Sequence, residues 1–383
     1  MPRVPLWAVS VLVAAGCLLT GALSPTGATG LLGRVAPILA FVALLTVVAE
    51  IAAAAGLFDV LARWAAIAGG GRTWRLWLLL ALVAWACTTV LSLDTTAVLV
   101  TPVVLVTARR TGAPVRLLAV TTLWLCATGS LLLPVSNLTN LLAEERIGGG
   151  VRGYVALSWA PALVAVAVTL VVVAALHRRD LRSGYEVPPP HEVTDRVWTG
   201  GTAVVCAALV PAFVSGVEVW VPALVAVVLL AALTAWRRRG VLRNVEVPWR
   251  VLLTVLGLFV AVEAAHERGL DAVATALLGD GEGYLDLLRV AAVGAVGSDL
   301  LNNLPAYLAL EPGASGPVAL MALLVGVGAA PLATPWASLA TLLWADRCRA
   351  DGVEVRWGPL LLQGAALGAL VLPPAVLALL LTT

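Results

Sequence analysis

Apolar residues run on along this chain for a helix length or more, stop at short polar islands, and resume, from one end to the other. Runs such as 7–23, 36–49, 159–177 and 358–383 are long enough to cross or nearly cross the roughly 30 Å of hydrocarbon in a bilayer. A backbone in lipid must satisfy its own hydrogen bonds, which leaves helices or closed barrels, and the alternation of a barrel strand is absent. The pattern therefore predicts an all-α polytopic transmembrane helical bundle. Its helices fall near 7–24, 32–58, 74–91, 115–130, 156–176, 198–216, 219–236, 249–266, 284–299, 317–331 and 358–381, about ten to twelve spans by length. No long polar segment remains for a separate globular domain. The first run follows Arg3 like a signal peptide, but its length and the spans behind it predict a retained helix.

Composition agrees with this picture, since 61% of the 383 residues are hydrophobic and 12% are charged, about half the charged share of a soluble domain. The 24 basic residues nearly balance the 22 acidic ones, so no field points to nucleic acid. The basic residues instead form clusters: Arg109 and Arg110 with Arg116, His177 to Arg182 through Arg196, and Arg237 to Arg239 through Arg250. The last two flank the predicted spans 198–216 and 219–236, so both lie on one side, which the positive-inside rule makes cytoplasmic. The stretch 177–197, with Tyr185-Glu186-Val187-Pro188-Pro189-Pro190, is a stiff polar linker near the middle of the chain. It divides a first membrane repeat over 1–177 from a second over 198–383, with a cytoplasmic linker over 178–197.

The two halves share an order of features. Glu50 opens EIAAAAGLFD and Glu263 opens EAAHERGLDA, each six residues before a Gly-Leu pair. Asp94-Thr95-Thr96-Ala97-Val98-Leu99 aligns with Asn303-Leu304-Pro305-Ala306-Tyr307-Leu308, and SNLTNLL (136–142) with ATPWASLATLLW (333–344). Two such repeats, inverted if each holds an odd number of spans, are the layout of a secondary transporter whose broken helices meet near the midplane.

The polar islands carry the candidate chemistry. Asp94 is a carboxylate at membrane depth, where a charge is costly unless paired, protonated or hydrated; it either serves an ion or proton path or caps a helix at an interface. Thr95, Thr96, Thr101 and Pro102 beside it suit a broken or re-entrant helix. Ser136, Asn137, Thr139 and Asn140 offer amides and hydroxyls at a half-helix start, suited to an anion or a neutral hydroxylated solute, unless the stretch is an outer turn. Asp299, Asn302 and Asn303 before Pro305 repeat the argument, against a plain connecting turn. Thr334, Ser338 and Thr341 share roughly one helical face, which either lines a path or glues helices. Glu50 and Glu263 either titrate or hydrogen-bond another helix, and His266 suits an interface. The five cysteines show no metal-site spacing, and no nucleotide, cofactor or nucleophile motif occurs, so neither a metal, a cofactor, enzymatic catalysis nor a built-in ATPase is expected.

LDTTAVLVTPVV (93–104), SNLTNLL (136–142), LLNNLPAYLAL (300–310) and SLATLLW (338–344) together resemble the arsenical pump membrane protein family, within the wider ion transporter superfamily. The resemblance implies a multi-pass protein of the cytoplasmic membrane, an antiporter built of two repeats, each with a hairpin and a discontinuous helix. It implies arsenite or antimonite efflux driven by proton entry, alone or with a soluble ATPase subunit, with a homodimer compatible with either. By motif position it assigns the acidic element to Asp94, the first hairpin signature to Ser136, Asn137, Thr139 and Asn140, the asparagine signature to Asn302 and Asn303, and the last signature to Thr334, Ser338 and Thr341. Proton coupling falls to Asp94, with Asp299, Glu263 and Glu50 as further carboxylates. Leu93 stands where an asparagine is expected, Leu138 where a proline is expected, and the last signature lacks its opening glycine. These departures bear on the substrate, for which a sodium- or proton-coupled carrier of a small carboxylate or inorganic anion, or a solute channel, are the alternatives.

Overall fold

A computed structural model describes residues 6–189, 195–245 and 247–383. The first part holds α1 (Leu6–Leu19), α2 (Pro25–Ala54), α3 (Leu57–Ala68), α4 (Thr73–Leu91), α5 (Leu93–Thr95), α6 (Thr101–Thr111), α7 (Val115–Thr128), α8 (Leu138–Ile147) and α9 (Gly150–Leu176). After the connecting α10 (Arg196–Val214) come α11 (Trp220–Arg238), α12 (Trp249–His266), α13 (Leu270–Leu278), α14 (Tyr284–Leu301), α15 (Asn303–Leu310), α16 (Pro317–Leu324), α17 (Leu339–Ala350) and α18 (Trp357–Thr382). Local signals set many of the ends. Ser24 caps α2 by accepting from the Gly27 amide at 3.0 Å, with Pro25 at the first helical position, where its missing N–H costs nothing. Gly112 closes α6 at φ 70°, a backbone region that glycine enters without steric cost.

Among the described residues, seven helices are long and apolar enough to cross a membrane: α2, α4, α9, α10, α11, α12 and α18. That is fewer than the sequence pattern predicts, for a physical reason. The apolar helices α1, α7 and the segment opened by α16 are too short to cross alone, and α14 carries Asp286, Arg289 and Asp299. In α7, α14 and the segment opened by α16, what reads as a span in the sequence is one arm of an interrupted structure.

Hydrogen bonds fix how the first interrupted structure is folded. Thr73 N donates to Ser183 O at 3.3 Å, Tyr185 N to Gly71 O at 3.0 Å, and Glu186 N to Thr111 O at 2.8 Å. Tyr185 Oη reaches Ala66 O at 2.5 Å. The start of α4 and the end of α6 are therefore held side by side by one strap, and residues 73–111 form a hairpin with its tip at Ser92. In contrast, α7 and α8 continue one another across an irregular stretch at 129–137. In the second part α14 and α15 meet at Asn302, and α16 is separated from α17 by residues 330–338. Residues 183–186, expected to belong to a linker, are thus part of the first half's packing.

The two halves interlock. α1 packs on α12 while α11 packs on α2, and α9 packs along α18. Small residues let backbones approach, as expected where lipid leaves no hydrophobic drive between helices. A side chain on Gly326 would start 2.0 Å from Ala291 O, one on Gly364 2.2 Å from Leu332 O, and one on Gly368 2.4 Å from Ala330 O. Large apolar side chains such as Val204, Leu285, Leu362 and Leu381 remain exposed on the outside, facing lipid.

The arginines sort by end. One end gathers Arg72 beside Gly184, Arg63 donating to Pro189 O, and Arg116 beside Arg356. At the same end Arg237 grips Asp195 with two bonds of 3.1 and 3.0 Å, which holds that carboxyl below the usual carboxylate range. The opposite end joins Ser24 to Glu267 and Arg268 to Ala22 O, and its arginines are Arg34, Arg146, Arg152, Arg268 and Arg289.

Gly326→Ala is expected to lower the melting temperature of the detergent-solubilised protein, at a cost of about 1–3 kcal/mol for overpacking. Gly30→Ala, where nothing lies within 4 Å, should leave it unchanged or higher.

Candidate functional site

Both hairpin tips turn on a residue in a backbone region that is nearly reserved for glycine. Ser92 has φ 93°, ψ 158° and Asn302 has φ 130°, ψ 156°, and they are the two non-glycine residues with positive φ among those described. Such strain costs on the order of 1–3 kcal/mol and persists where surroundings enforce it. Each residue also caps the arm that follows. Ser92 Oγ accepts from Thr95 N at 3.3 Å, and Asn302 Oδ1 accepts from Leu304 N at 3.4 Å. Ser92 and Asn302 thus share a backbone conformation and a capping role, one position away from the pairing of Asp94 with Asn303 read in the sequence. The hairpin tip of the first half is the Ser92–Asp94 stretch, and SNLTNLL begins a half-helix, the reverse of the assignment that the resemblance implied.

The second break is fastened by the side chains of α14. Asp299 Oδ1 accepts from Ala333 N at 3.0 Å and Thr334 N at 3.1 Å, while its backbone O accepts from Thr334 Oγ1 at 2.8 Å and Trp336 Nε1 at 2.9 Å. Asn302 Nδ2 donates to Trp336 O at 2.8 Å, and Asn303 N to Ala337 O at 2.9 Å. Asn303 Oδ1 turns back on Leu304 N at 2.9 Å. Asp299, Asn302, Asn303 and Thr334 are thus brought together. Ser338 caps α17, accepting from Ala340 N at 3.3 Å, and Thr341 lies buried one turn on.

The first break uses different donors. Ser136 Oγ donates to Thr89 O at 2.9 Å, and Asn140 Nδ2 to Ser130 O at 2.7 Å and Leu133 O at 3.3 Å. Asn137 caps α8 by accepting from Thr139 N at 3.4 Å. Its Nδ2 faces the other half, where a side chain on Gly328 would begin 3.9 Å away. The halves also meet where α17 packs on α5, on α6 and on the π-turn Thr96–Val100 between them, and where α8 packs on α15 and α16. The helix starts at Asn137 and Ser338, each the positive end of a helix dipole, therefore both open from the middle of the bundle.

Four buried polar atoms around these breaks make no hydrogen bond within the protein: Asn137 Nδ2, Thr139 Oγ1, Asn140 Oδ1 and Ser298 Oγ. A buried polar group left unpaired costs about 1–3 kcal/mol, so the set is arranged for an occupant that both accepts and donates. Asp94 lies half-buried in the first turn of α5, and among the described residues no hydrogen bond reaches its carboxylate. The stretches 88–96, 129–141, 298–304 and 330–341 contain no arginine, lysine or histidine. No group of three or more His, Cys, Asp or Glu side chains among the described residues is placed to hold a metal ion.

Glu50 lies near the end of α2 and Glu263 near the end of α12, towards opposite ends of the bundle. Glu263 lines a cavity of about 190 Å³ with Arg34, Arg146, His266, Asp271 and Glu311. There Arg146 Nη1 donates to Glu311 O at 2.8 Å and lies 3.7 Å from its carboxylate. Burial pushes the Glu311 carboxyl up, against the pull of Arg34 and Arg146. Ser92 and Ser298 escaped the sequence reading as individual site residues, Ser92 because its role lies in a backbone angle; its one signal was the Ser-x-x-Thr capping spacing.

A sequence profile of the citrate transporter family matches residues 1–342. The arsenical pump membrane protein of Escherichia coli (strain K12) is 25% identical over 314 residues, covering 76% of this chain and 73% of the relative. The arsenical pump membrane protein of Yersinia enterocolitica is 27% identical over 323 residues with the same coverage.

Ser92→Gly is expected to keep or raise the melting temperature, since it relieves the tip and loses only the bonds of Ser92 Oγ to Thr95. Ser92→Val should lower it by about 2 kcal/mol or more, and equal effects of the two would refute strain at the tip.

Proposed function

The chain belongs to the citrate transporter family, and from that premise we propose that this multi-pass membrane transporter exports arsenite or antimonite, driven by protons moving inward. The observation that carries the reading is the cluster of unpaired buried amide and hydroxyl atoms around the two breaks, in stretches that hold no basic side chain. Arsenous acid is an uncharged trihydroxide at neutral pH. It offers hydroxyl donors to Asn140 Oδ1 and oxygen acceptors to Asn137 Nδ2, with Thr139 and Ser298 able to play either part.

The arginine-rich end is read as cytoplasmic by the positive-inside rule. On that reading α2 runs from the outer side inward and α12 from the inner side outward, so the two halves are inverted repeats and each hairpin enters from its own side. The names of the relatives support an arsenical substrate, and the motif resemblance extends it to this chain.

Asp94 is assigned the proton. A carboxylate at this depth is tolerated when it exchanges charge for a proton or a cation, and among the described residues no backbone amide occupies Asp94. Asp299 is assigned a positioning role, because its carboxylate already holds the Ala333 and Thr334 amides. Proton binding at Asp94 and solute binding at the breaks then alternate as the site faces each end.

The family's description favours a second reading, a carrier of citrate or another small carboxylate. A polycarboxylate would bring several negative charges to a site whose breaks supply helix N-termini but no arginine or lysine, so it would need accompanying cations.

Everted vesicles separate these readings. Radiolabelled arsenite should accumulate when the lumen is made acid, and Asp94→Asn should reduce that accumulation at least tenfold while keeping the melting temperature. Citrate accumulation in place of arsenite, or full activity of Asp94→Asn, would overturn the assignment.

A further inference from the structure

At the end opposite the arginine-rich one, where Glu263, Glu267, Asp271 and Glu311 make an acid-rich face, His266 is held by two acceptors. Its Nε2 lies 2.9 Å from the backbone carbonyl of Leu308 on α15, and its Nδ1 contacts the carboxylate of Asp271 on α13. A carbonyl oxygen can only accept, so Nε2 carries a hydrogen. A carboxylate likewise only accepts, so a hydrogen must also lie between Nδ1 and Asp271. A neutral imidazole has one N–H, so both contacts are satisfied together when the pair shares one proton more than a neutral ring beside an ionised carboxylate. We propose that His266 and Asp271 form a proton-binding site open to the acid-rich face, and that the proton held there fastens the second hairpin to α12.

Several placements favour the charged pair. His266 is the last residue of α12, beside carbonyls at the negative end of the helix dipole, and Asp271 is in the first turn of α13, at the positive end. The surrounding cavity adds the carboxylates of Glu263 on α12 and Glu311 in the turn after α15, against the guanidiniums of Arg34 on α2 and Arg146 on α8. Two further neighbours are engaged elsewhere: Glu267 bonds Ser24, and Arg268 donates to Ala22 O and Ala264 O. Asp271 is 58% exposed while the His266 side chain is mostly covered, so protons arrive from solvent past Asp271 and return by the same route.

When that proton leaves, the Nδ1 lone pair faces the carboxylate. The ring then keeps either the Leu308 carbonyl or a place beside Asp271, and α15, the hairpin arm that begins after Asn302, loses a tie to α12. The aligned positions at the arginine-rich end are Ala53 and Phe58; the His177–Asp180 pair at that end lies within the single turn that follows α9 and ties no hairpin arm to another helix. The part of the His266–Asp271 site in driving transport rests on the proton-coupled reading above.

The test uses the full-length protein in lipid nanodiscs labelled with ¹⁵N-histidine. The chain has three histidines, His177, His191 and His266, and His266→Gln assigns the third. In a titration over about pH 5 to 9, His266 should show both ring nitrogens protonated on the acid side, and Asp271→Asn should give a ring with one N–H at the same pH. A neutral ring throughout, or a titration unaltered by Asp271→Asn, overturns the proton site. In everted vesicles, where this face lines the lumen, Asp271→Asn should lower acid-driven arsenite accumulation about tenfold and flatten its dependence on lumenal pH. An unchanged pH profile removes the coupling role. Wild-type vesicles that accumulate no arsenite would instead sink the transport reading, leaving the nitrogen signals to judge the proton site alone.

Discussion

A peptide group that leaves a helix inside hydrocarbon must find another partner, because no water is there to take its place. This constraint organises the middle of the bundle. Residues 129–137 and 330–338 are irregular, and their exposed amides and carbonyls are met by side chains that act as substitutes for helical neighbours. Asp299 answers the amides of Ala333 and Thr334, Asn302 the carbonyl of Trp336, and Asn140 the carbonyls of Ser130 and Leu133. α9 contributes as well, with Tyr154 Oη on Leu131 O at 3.0 Å and Ser158 Oγ on Leu132 O at 2.9 Å.

Polar residues in the breaks thus divide by what they already hold. Asp299, Asn302, Asn303, Thr334 and Ser136 are committed to backbone, and their removal would undo the breaks themselves. Asn137, Thr139, Asn140 and Ser298 each keep an atom in reserve. That division separates groups that build the chamber from groups free to meet a solute, a distinction that residue type alone does not make.

The positions of the breaks were legible in the sequence because polarity is so expensive in an apolar run. LSLDTTAVLVTP, SNLTNLL, SDLLNNLP and ATPWASLATLLW all mark interruptions, and Gly56-Leu57 and Gly269-Leu270 mark matching turns. Which interruption folds back and which continues was not legible, since a hairpin and a broken crossing carry the same polar signal. In the first half the strap from Ser183 to Glu186 tells them apart, and it is distant in sequence. The pairing of Asp94 with Asn303 rests on amide and carboxylate side chains, whereas what Ser92 and Asn302 share is a backbone angle that side-chain type does not reveal. His266 read as an interfacial residue because its partner Leu308 O belongs to the backbone of another element.

The strap also has a consequence for biosynthesis. The two legs of the first hairpin leave the ribosome well before Ser183, Tyr185 and Glu186, the residues that clasp them. The nascent hairpin must wait at the membrane surface with Gly71 and Thr111 carbonyls unclasped until α7, α8 and α9 have been threaded. Insertion of the first half is therefore completed by its last residues, and the hairpin closes late in order of synthesis although it comes early in the chain.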